Sequence, residues 1–312
     1  MTNHTVPRRR FLANTGWAAG AFLAGGKTGI AESQTPKPGL HLASNNYSWT
    51  VFYERENRDF NKSLDTGLQD VAAGGIDGFE PSVTSPQQLD ELIPLLRKHH
   101  LEMRSLYVNS SMLTTEEADK SIAQIPAIAE KAKSYNAKII VTNPNPIRWG
   151  GNESKSDAQL QLQAKALNTL GEKLAALGLT LAYHNHDVEL RNAAREFHHM
   201  MVGTDPKFVT LCLDAHWIYR GSGNSQVALF DIVRLYGKRI TELHLRQSVN
   251  QIWSETFGEG DIDYPSLVEQ LRALQIKPHL VLEIAVEKGT PKTMDPVTAH
   301  RRSSEYARKI FS

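Results

Sequence analysis

The chain has 312 residues, of which 40% are hydrophobic, and this is enough to build a sizeable core as one large α/β domain or two smaller ones. Its formal net charge of +1 at pH 7 creates no field that would attract nucleic acid or an anionic membrane, which argues against both as partners. The single cysteine, Cys212, excludes a disulfide within the chain, and a cysteine-poor chain suits an oxidising compartment.

The first residues differ in composition from the rest of the chain. A basic stretch, Arg-Arg-Arg-Phe-Leu from Arg8 to Leu12, precedes an apolar, Gly/Ala-rich run from Trp17 to Gly26, and Gly29-Ile30-Ala31 has the small-x-small form of a cleavage site. The arrangement resembles a twin-arginine export signal. Its apolar run is too short for a membrane span, which needs about 20 helical residues. A basic, disordered leader is the alternative interpretation.

The expected signal divides the chain into three parts. We predict a signal peptide over residues 1–31, a proline-containing linker over 32–38 and a folded domain over 39–312. Because twin-arginine export carries folded proteins, a cofactor could be loaded before export. The mature protein is therefore expected in the bacterial periplasm.

Strand-like and helix-like segments alternate beyond residue 39. Strands are predicted over 40–44, 76–80, 101–108, 137–143, 179–186, 209–214, 240–246 and 279–285. Helices are predicted over 60–74, 85–100, 114–135, 157–177, 196–202, 227–236, 265–274 and 303–310. One helix for each of eight strands predicts a single-domain (β/α)₈ TIM barrel of the α/β class. A doubly wound sheet would have fewer strands, and no Gly-x-Gly-x-x-Gly turn follows the first strand.

The last four strands alternate between bulky apolar and polar residues. In strand six, Leu211 and Leu213 alternate with Cys212 and Asp214, and strands five, seven and eight follow the same rule. One face of a barrel strand meets the helices and the other fills the interior. The pattern therefore predicts that the polar residues of these strands point into the barrel.

Polar side chains, most of them able to bind a metal, stand at the C-terminal ends of the strands, where barrel active sites form. They are Glu80, His184, His186, Asp214, His216, His244, Arg246 and Glu283. Mixed histidine and carboxylate ligands suit Mn²⁺, Co²⁺, Fe²⁺ or Zn²⁺. Such an ion can polarise a sugar carbonyl and stabilise an enediolate. The sequence thus predicts a divalent-metal site at the barrel mouth.

The ordered set of strand ends resembles the xylose-isomerase-like TIM barrel family of sugar and sugar-phosphate isomerases and epimerases. The matching segments are Tyr183-His184-Asn185-His186, Leu211-Cys212-Leu213-Asp214, Leu243-His244-Leu245, Gly258-Glu259-Gly260-Asp261-Ile262-Asp263-Tyr264 and Leu282-Glu283. The family holds its metal with Glu, Asp, His and Glu on strands five to eight. The resemblance implies that Asp214, His244 and Glu283 are ligands, with His184 where the family has its first Glu.

The histidine at position 184 bears on the reaction. In the family's epimerases the two Glu residues flank the substrate carbon as an acid–base pair. A neutral imidazole can still bind a metal and move protons. The His-Asn-His sequence also resembles the Tyr-His-His-His stretch of inosose dehydratases, which implies β-elimination or hydration of a keto-sugar. These reactions and isomerisation all begin by removing a proton α to a carbonyl.

Individual roles follow for the residues at the mouth. We expect Glu80, His186 and Glu283 to act in catalysis, and we expect His216, Trp217 and Arg246 to contact substrate. The alternatives are structural: a buried ion pair for Asp214 or Glu283, a hydrogen-bonded interior histidine for His244, and a pair between Glu80 and Arg246.

The leading functional hypothesis is a divalent-metal-dependent isomerase or epimerase that acts on a free sugar or keto-sugar through an enediolate. A lyase or hydratase of keto-sugars or 3-keto-glycosides is the first alternative, and a non-enzymatic sugar-binding protein is the second. A DNA-repair endonuclease of the same superfamily needs a multi-zinc cluster and a basic face, which the net charge of +1 disfavours. A periplasmic location favours unphosphorylated substrates, and the composition is compatible with an oligomer.

Overall fold

Eight parallel strands form the central sheet of the computed structural model, which describes residues 39–312. The strands are β1 (Leu42–Asn45), β2 (Gly78–Glu80), β3 (Ser105–Tyr107), β4 (Ile139–Thr142), β5 (Thr180–His184), β6 (Val209–Asp214), β7 (Ile240–Leu245) and β8 (His279–Leu282). Their order is β2-β1-β8-β7-β6-β5-β4-β3. Hydrogen bonds from Phe79 N to Glu102 O (2.8 Å) and from Tyr107 N to Pro81 O (2.9 Å) join the two edges. The sheet is thus a nearly closed barrel, as predicted.

Ten α-helices accompany the strands in this part of the chain. They are α1 (Asn46–Arg55), α2 (Leu64–Ala73), α3 (Gln88–Lys98), α4 (Thr115–Lys133), α5 (Asp157–Ala176), α6 (Arg191–Gly203), α7 (Ala215–Gly221), α8 (Gln226–Tyr236), α9 (Tyr264–Ala273) and α10 (Pro296–Phe311). Side-chain caps fix several starts. Ser156, for example, forms a capping box with Gln159 at the start of α5, which satisfies backbone donors that a helix leaves free at its first turn.

The apolar side chains separate into two clusters, as strand alternation predicted. The outer cluster joins the strands to the helices and includes Leu181, Leu211 and Leu243. The inner cluster consists of Val141, Ala182 and Cys212, with Tyr107 and Ile139 packed against it. The barrel interior is therefore apolar across its middle, and the polar ends of β5 to β8 lie on this same inward face.

Several details differ from the predicted elements. Helices α1 and α7 were not predicted, and the loop after β7 contains a two-stranded hairpin, Ser248–Val249 with Ile252–Trp253. Helix α3 begins at Gln88 without a side-chain cap, so the predicted start at Ser85-Pro86 is wrong. Instead, the Gln88 side chain accepts hydrogen bonds from the backbone of Thr84 and Ser85, which holds those residues outside the helix.

The expected signal peptide (1–31) and linker (32–38) lie outside the described residues. Within residues 39–312, no helix combines the length and the apolar character that crossing a membrane requires.

Candidate active site at the barrel mouth

The four predicted metal ligands come together at the C-terminal ends of neighbouring strands. His184, Asp214 and His244 end or nearly end β5, β6 and β7, and Glu283 directly follows β8. One ligand atom from each lies within 4.8 Å of the others, and all four residues are buried. Protein ligands lie about 2.0–2.2 Å from such an ion and therefore up to about 4.4 Å from one another, so this spacing is close to that needed to hold one cation.

Asp214 is held by its neighbours so that one carboxylate oxygen stays free. Its Oδ1 accepts a hydrogen bond from Trp217 N at 2.8 Å and caps α7. Its backbone exchanges two hydrogen bonds of 3.1 Å with the Asn185 side chain. Its Oδ2 is buried, lies 3.8 Å from an Arg246 Nη atom and has no hydrogen-bond partner among residues 39–312. A buried carboxylate oxygen without a donor is costly unless a cation satisfies it, so this atom fits an ion site.

Glu283 is fixed by a buried arginine. Arg246 Nε donates to the Glu283 carbonyl at 2.8 Å, and an Nη atom donates to Glu283 Oε1 at 2.6 Å. Burial alone would raise the pKa of Glu283, but Arg246 and His244 together lower it below its usual value. The Glu283 side chain is therefore an ionised carboxylate, which suits a metal ligand better than a proton donor.

His244 lies between carboxylates on both sides of its ring. Its Nδ1 is against Glu283 Oε2, and its Nε2 is 3.0 Å from Glu242 Oε1 and 3.4 Å from Glu80 Oε2. Burial would lower the pKa of His244, but the negative groups around it, including Glu80 and Glu283, raise it well above 6.5. Glu242 was not predicted as a site residue. Its position two residues before His244, on the same strand face, was the available signal.

The two histidines of the His-Asn-His motif have different surroundings. His184 is buried, with its ring 4.8 Å from the rings of both His244 and His186. His186 lies beyond β5, with its ring 5.0 Å from that of Trp149 and 5.8 Å from that of Trp217. Burial lowers the pKa of both, to about 4 for His186. Both imidazoles are therefore neutral at pH 7, the form that binds a metal or accepts a proton.

A cavity of about 490 Å³ opens above the four ligands, within the range typical of small-molecule sites. Among the predicted site residues, Glu80, His184, His186, Trp217 and Glu283 line it. Glu80 is only 1% exposed, and neither of its carboxylate oxygens has a hydrogen-bond partner in the described chain. The rings of Tyr47, Tyr107 and Trp149 supply apolar wall.

Arg246 and His216 are not on this wall. Both are fully buried, and the Arg246 guanidinium lies 4.5 Å from the Trp253 ring and 5.0 Å from the Trp217 ring. His216 packs with its ring 6.1 Å from that of Trp253. Of the three residues expected to contact substrate, Trp217 lines the cavity, whereas Arg246 and His216 do not; for these two residues the role stays a prediction.

Glu189 supports the site, although its position past β5 in the sequence left open whether it has a functional role or faces solvent. It is buried, its Oε2 accepts from His186 N at 2.6 Å, and its Oε1 accepts from Asn143 Nδ2 at 3.1 Å. Asn143 also donates to the His184 carbonyl at 2.7 Å. Burial raises the pKa of Glu189 to about 7. Glu189 thus fixes the backbone that carries both histidines, and its place three residues after His186 was the only signal.

Comparison with known proteins agrees with this architecture. Residues 68–310 match a family model described as a xylose isomerase-like TIM barrel. The inosose dehydratase of Mesomycoplasma hyopneumoniae (strain 7448) is 22% identical over 278 residues, which cover 80% of this chain and 89% of that protein.

Two solved structures illustrate the likeness in fold. The apo 3-keto-D-glucoside 4-epimerase of E. coli has a TM-score of 0.63 and 18% identity, covering 86% of this chain and 99% of its own. The D-allulose 3-epimerase of Methylomonas sp. in complex with D-allulose has a TM-score of 0.64 and 14% identity, covering 87% of this chain and 97% of its own.

Proposed function

The chain belongs to the xylose isomerase-like TIM barrel family, a family of sugar-modifying enzymes, and we propose that it is a divalent-metal-dependent isomerase or epimerase of free sugars or keto-sugars. The observation that carries the proposal is the set of four buried ligand atoms within 4.8 Å of one another, from His184, Asp214, His244 and Glu283. The set lies beneath a cavity large enough for a sugar. Two carboxylates and two imidazoles suit Mn²⁺, Co²⁺, Fe²⁺ or Zn²⁺; the His184 ring is already neutral, and His244, whose pKa is raised, would give up a proton when it binds the ion.

The charges around the site support one divalent ion. Asp214, Glu283 and Glu242 are acidic and buried, and Arg246 is the one arginine or lysine that contacts them among residues 39–312. Buried carboxylates need partners or a cation. An ion held there would polarise the substrate carbonyl and stabilise the enediolate that forms when the neighbouring C–H loses its proton.

Two side chains are placed to move that proton. His186 follows β5 and Glu80 ends β2, so they reach the cavity from different strands of the barrel. His186 Nδ1 and both Glu80 oxygens have no hydrogen-bond partner within the described residues. We assign His186 as the base that takes the proton α to the carbonyl, and Glu80 as the acid that returns one. Glu283, clamped by Arg246, serves as a ligand, which revises its expected catalytic role.

The cavity wall favours a sugar over a phosphorylated substrate. Tyr47, Tyr107, Trp149 and Trp217 present aromatic surface, which suits the C–H faces of a sugar ring. Arg191 is the one arginine or lysine on the described wall, and it donates to the Gly151 carbonyl at 2.7 Å. The export signal expected over residues 1–31 adds the proposal that the enzyme works in the periplasm, where free sugars and glycosides are available.

A lyase or hydratase of keto-sugars or 3-keto-glycosides is the second candidate. It is supported by the inosose dehydratase relative and by His184, which leaves the site without the carboxylate pair of the family's epimerases. In that reaction His186 would take the α-proton, and Glu80 would protonate the hydroxyl that leaves from the β-carbon as water. The first step is the same in both candidates.

An NMR assay in D₂O tests both. Purified protein loaded with Mn²⁺, Co²⁺ or Zn²⁺ is mixed with a panel of free ketoses, keto-sugars and 3-keto-glycosides. Deuterium should enter at the carbon α to the carbonyl; a new stereoisomer or a moved carbonyl indicates epimerisation or isomerisation, and an unsaturated product indicates elimination. Protein that binds no divalent ion, with activity indifferent to chelator, would falsify the proposal. Sugar binding without exchange would point to a binding protein.

A further inference from the structure

A buried chain of polar groups lies behind the two imidazole ligands. Glu242 Oε1 is 3.0 Å from His244 Nε2 and 3.6 Å from Cys212 Sγ, and Cys212 Sγ is 3.6 Å from His184 Nδ1. Glu242 and Cys212 are completely buried, and neither lines the cavity. The chain therefore connects the two histidines on the side away from substrate.

We propose that Glu242 and Cys212 are positioning residues that together fix the ring orientation and tautomer of both imidazole ligands, His244 and His184. The inference rests on the proposed metal site and extends it to residues that contact neither the ion nor the substrate. Metal-bound histidines usually donate their second ring N–H to a carboxylate or carbonyl, and this contact orients the ring.

For His244 the carboxylate settles which nitrogen is free. Because Glu242 Oε1 accepts the hydrogen bond from Nε2–H, the lone pair on Nδ1 is the one available to an ion. Nδ1 is also the nitrogen beside Glu283 Oε2, which belongs to the same ligand group. An ion that displaces a proton from Nδ1 would leave the Nε2–H to Glu242 bond intact.

The Cys212 thiol stands beside His184 as the Glu242 carboxylate stands beside His244. Cys212 Sγ accepts from Nδ1–H of His184 and directs its own S–H at Glu242 Oε1. This leaves Nε2 of His184 for the ion and the cavity. Sulfur is a weak donor and acceptor, so Cys212 should fix the ring of His184 less firmly than Glu242 fixes that of His244.

The burial of Glu242 is difficult to explain without such a role. It is fully buried, and its Oε2 has no hydrogen-bond partner in the described part of the chain. A buried carboxylate usually costs stability. The strands β6 and β7 that carry Cys212 and Glu242 pair these two residues directly, so the sheet places both under the histidines together.

Co²⁺ titration of metal-free protein tests the proposal, because the visible absorption of Co²⁺ reports both affinity and coordination geometry. Wild type should bind one ion. Glu242→Gln keeps the side-chain shape but loses the charge, and it should weaken Co²⁺ binding about 10- to 100-fold and shift the absorption bands. Cys212→Ala should weaken binding a few-fold, and Cys212→Ser should recover part of that loss because a hydroxyl can make both contacts.

The matched control is Glu255→Gln. Glu255 is also a buried carboxylate, 4% exposed, but its partners are Arg55 and Thr293, and none of these three residues lines the cavity. This variant should lose stability while it keeps wild-type Co²⁺ affinity and spectrum, which separates loss of a buried charge from loss of ligand orientation. Folding of all variants is checked by their melting temperatures without metal.

The outcomes distinguish the possible failures. Wild type that binds no Co²⁺ defeats the proposed function itself. A folded Glu242→Gln variant with unchanged affinity and spectrum overturns only the positioning role. A stoichiometry that falls from two ions to one in Glu242→Gln would also overturn it, because Glu242 would then be a ligand of a second ion together with Glu80 and His244, which form a ligand group of their own.

Discussion

Arg246 and Glu283 form a buried ion pair in which Glu283 lines the cavity and Arg246 donates two hydrogen bonds to it, at 2.8 and 2.6 Å. A planar guanidinium can donate both hydrogen bonds at once. A lysine ammonium is a point charge and cannot reproduce this paired geometry. Breaking a buried pair leaves an uncompensated charge. The geometry therefore favours a role for Arg246 in holding Glu283, a proposed metal ligand, in place. Kinetics can distinguish this role from substrate contact.

Arg246→Lys is expected to weaken divalent-metal affinity and to lower kcat about 10-fold or more, while KM changes little. The reason is that Glu283 would lose its fixed orientation but the cavity wall would stay intact. Steady-state kinetics on the best substrate, together with metal titration, measures both effects. Arg220→Lys is the control, since Arg220 makes a similar two-bond contact with Glu287. A raised KM with unchanged kcat in Arg246→Lys would return the residue to a substrate-contacting role.

Trp149 allows the contribution of the cavity wall to substrate binding to be tested, because it is not one of the proposed metal ligands. It lines the cavity, and 53% of its surface is exposed. Aromatic contacts of this kind contribute about 0.5–1.5 kcal/mol, so Trp149→Ala should raise KM roughly 2- to 10-fold with kcat nearly unchanged. Trp149→Phe should retain most of the affinity. Equal KM values for all three proteins would exclude this ring from substrate binding.

At the scale of elements, regular patterns were predictable and short helices were not. Strand β6 was predicted at its observed bounds, and α5 within one residue, because strict alternation and a capping box are local signals. Helix α1 has the aromatic and β-branched sequence Asn-Tyr-Ser-Trp-Thr-Val-Phe-Tyr-Glu-Arg, which local propensity does not favour as a helix. It forms because Trp49, Phe52 and Tyr53 are buried against distant parts of the chain.

The same limit applies to the candidate site. That the four candidate ligands lie close together was predictable, because each stands at the end of a strand of regular parity. Glu242 and Arg246 share that parity, yet their roles depend on contacts with Cys212 on β6 and with Glu283 after β8. Sequence alone does not give those pairings, so the hydrogen bonds behind the site could be read only from the fold.

Close packing of α5 on the sheet provides an element-scale prediction. A Cβ atom at Gly171 would lie 2.3 Å from the backbone oxygen of Phe208, just before β6. Alanine improves helix propensity by about 1 kcal/mol, but overpacking costs roughly 1–3 kcal/mol and should dominate because the obstacle is backbone. Gly171→Ala should therefore lower the urea midpoint. Glu172→Ala, on the exposed side of the same helix, should change it little; a more stable Gly171→Ala would contradict the close approach.

At the scale of the whole molecule, the closed sheet gathers its titratable groups inside the barrel and between barrel and helices. Among residues 39–312, three histidines outside the candidate site have a lowered pKa: His41 and His279 are partly buried, and His300 is fully buried. Burial lowers the pKa of His41 and His279 to about 4 and that of His300 to about 3. His300 is stacked on Trp49, with ring centroids 3.7 Å apart, and its Nδ1–H donates to the Pro296 carbonyl at 2.7 Å. Folding thus keeps these rings neutral.

These histidines should make the protein acid-sensitive below neutral pH. In the unfolded chain a histidine has a pKa of about 6.5, so below this pH the unfolded state binds more protons than the folded one. The contribution of these histidines to the free energy of unfolding is fully present above pH 6.5. It is lost as the pH falls toward 4 for His41 and His279, and toward 3 for His300. Each histidine can lower the free energy of unfolding by at most about 1.4 kcal/mol per pH unit.

His300→Phe isolates one of these contributions, because phenylalanine can keep the stacking on Trp49 but cannot take up a proton. Urea unfolding at pH 7.5, 6 and 5, with chelator present so that ion binding does not contribute, gives the free energy of unfolding at each pH. The variant should show a shallower decline than wild type below pH 6.5, by up to about 1.4 kcal/mol per pH unit. A surface change, His100→Asn, should leave the wild-type slope in place. Parallel slopes for His300→Phe and wild type would mean that His300 is already protonated in the folded barrel, and the packing of α10 on α1 would then have to accommodate a charge.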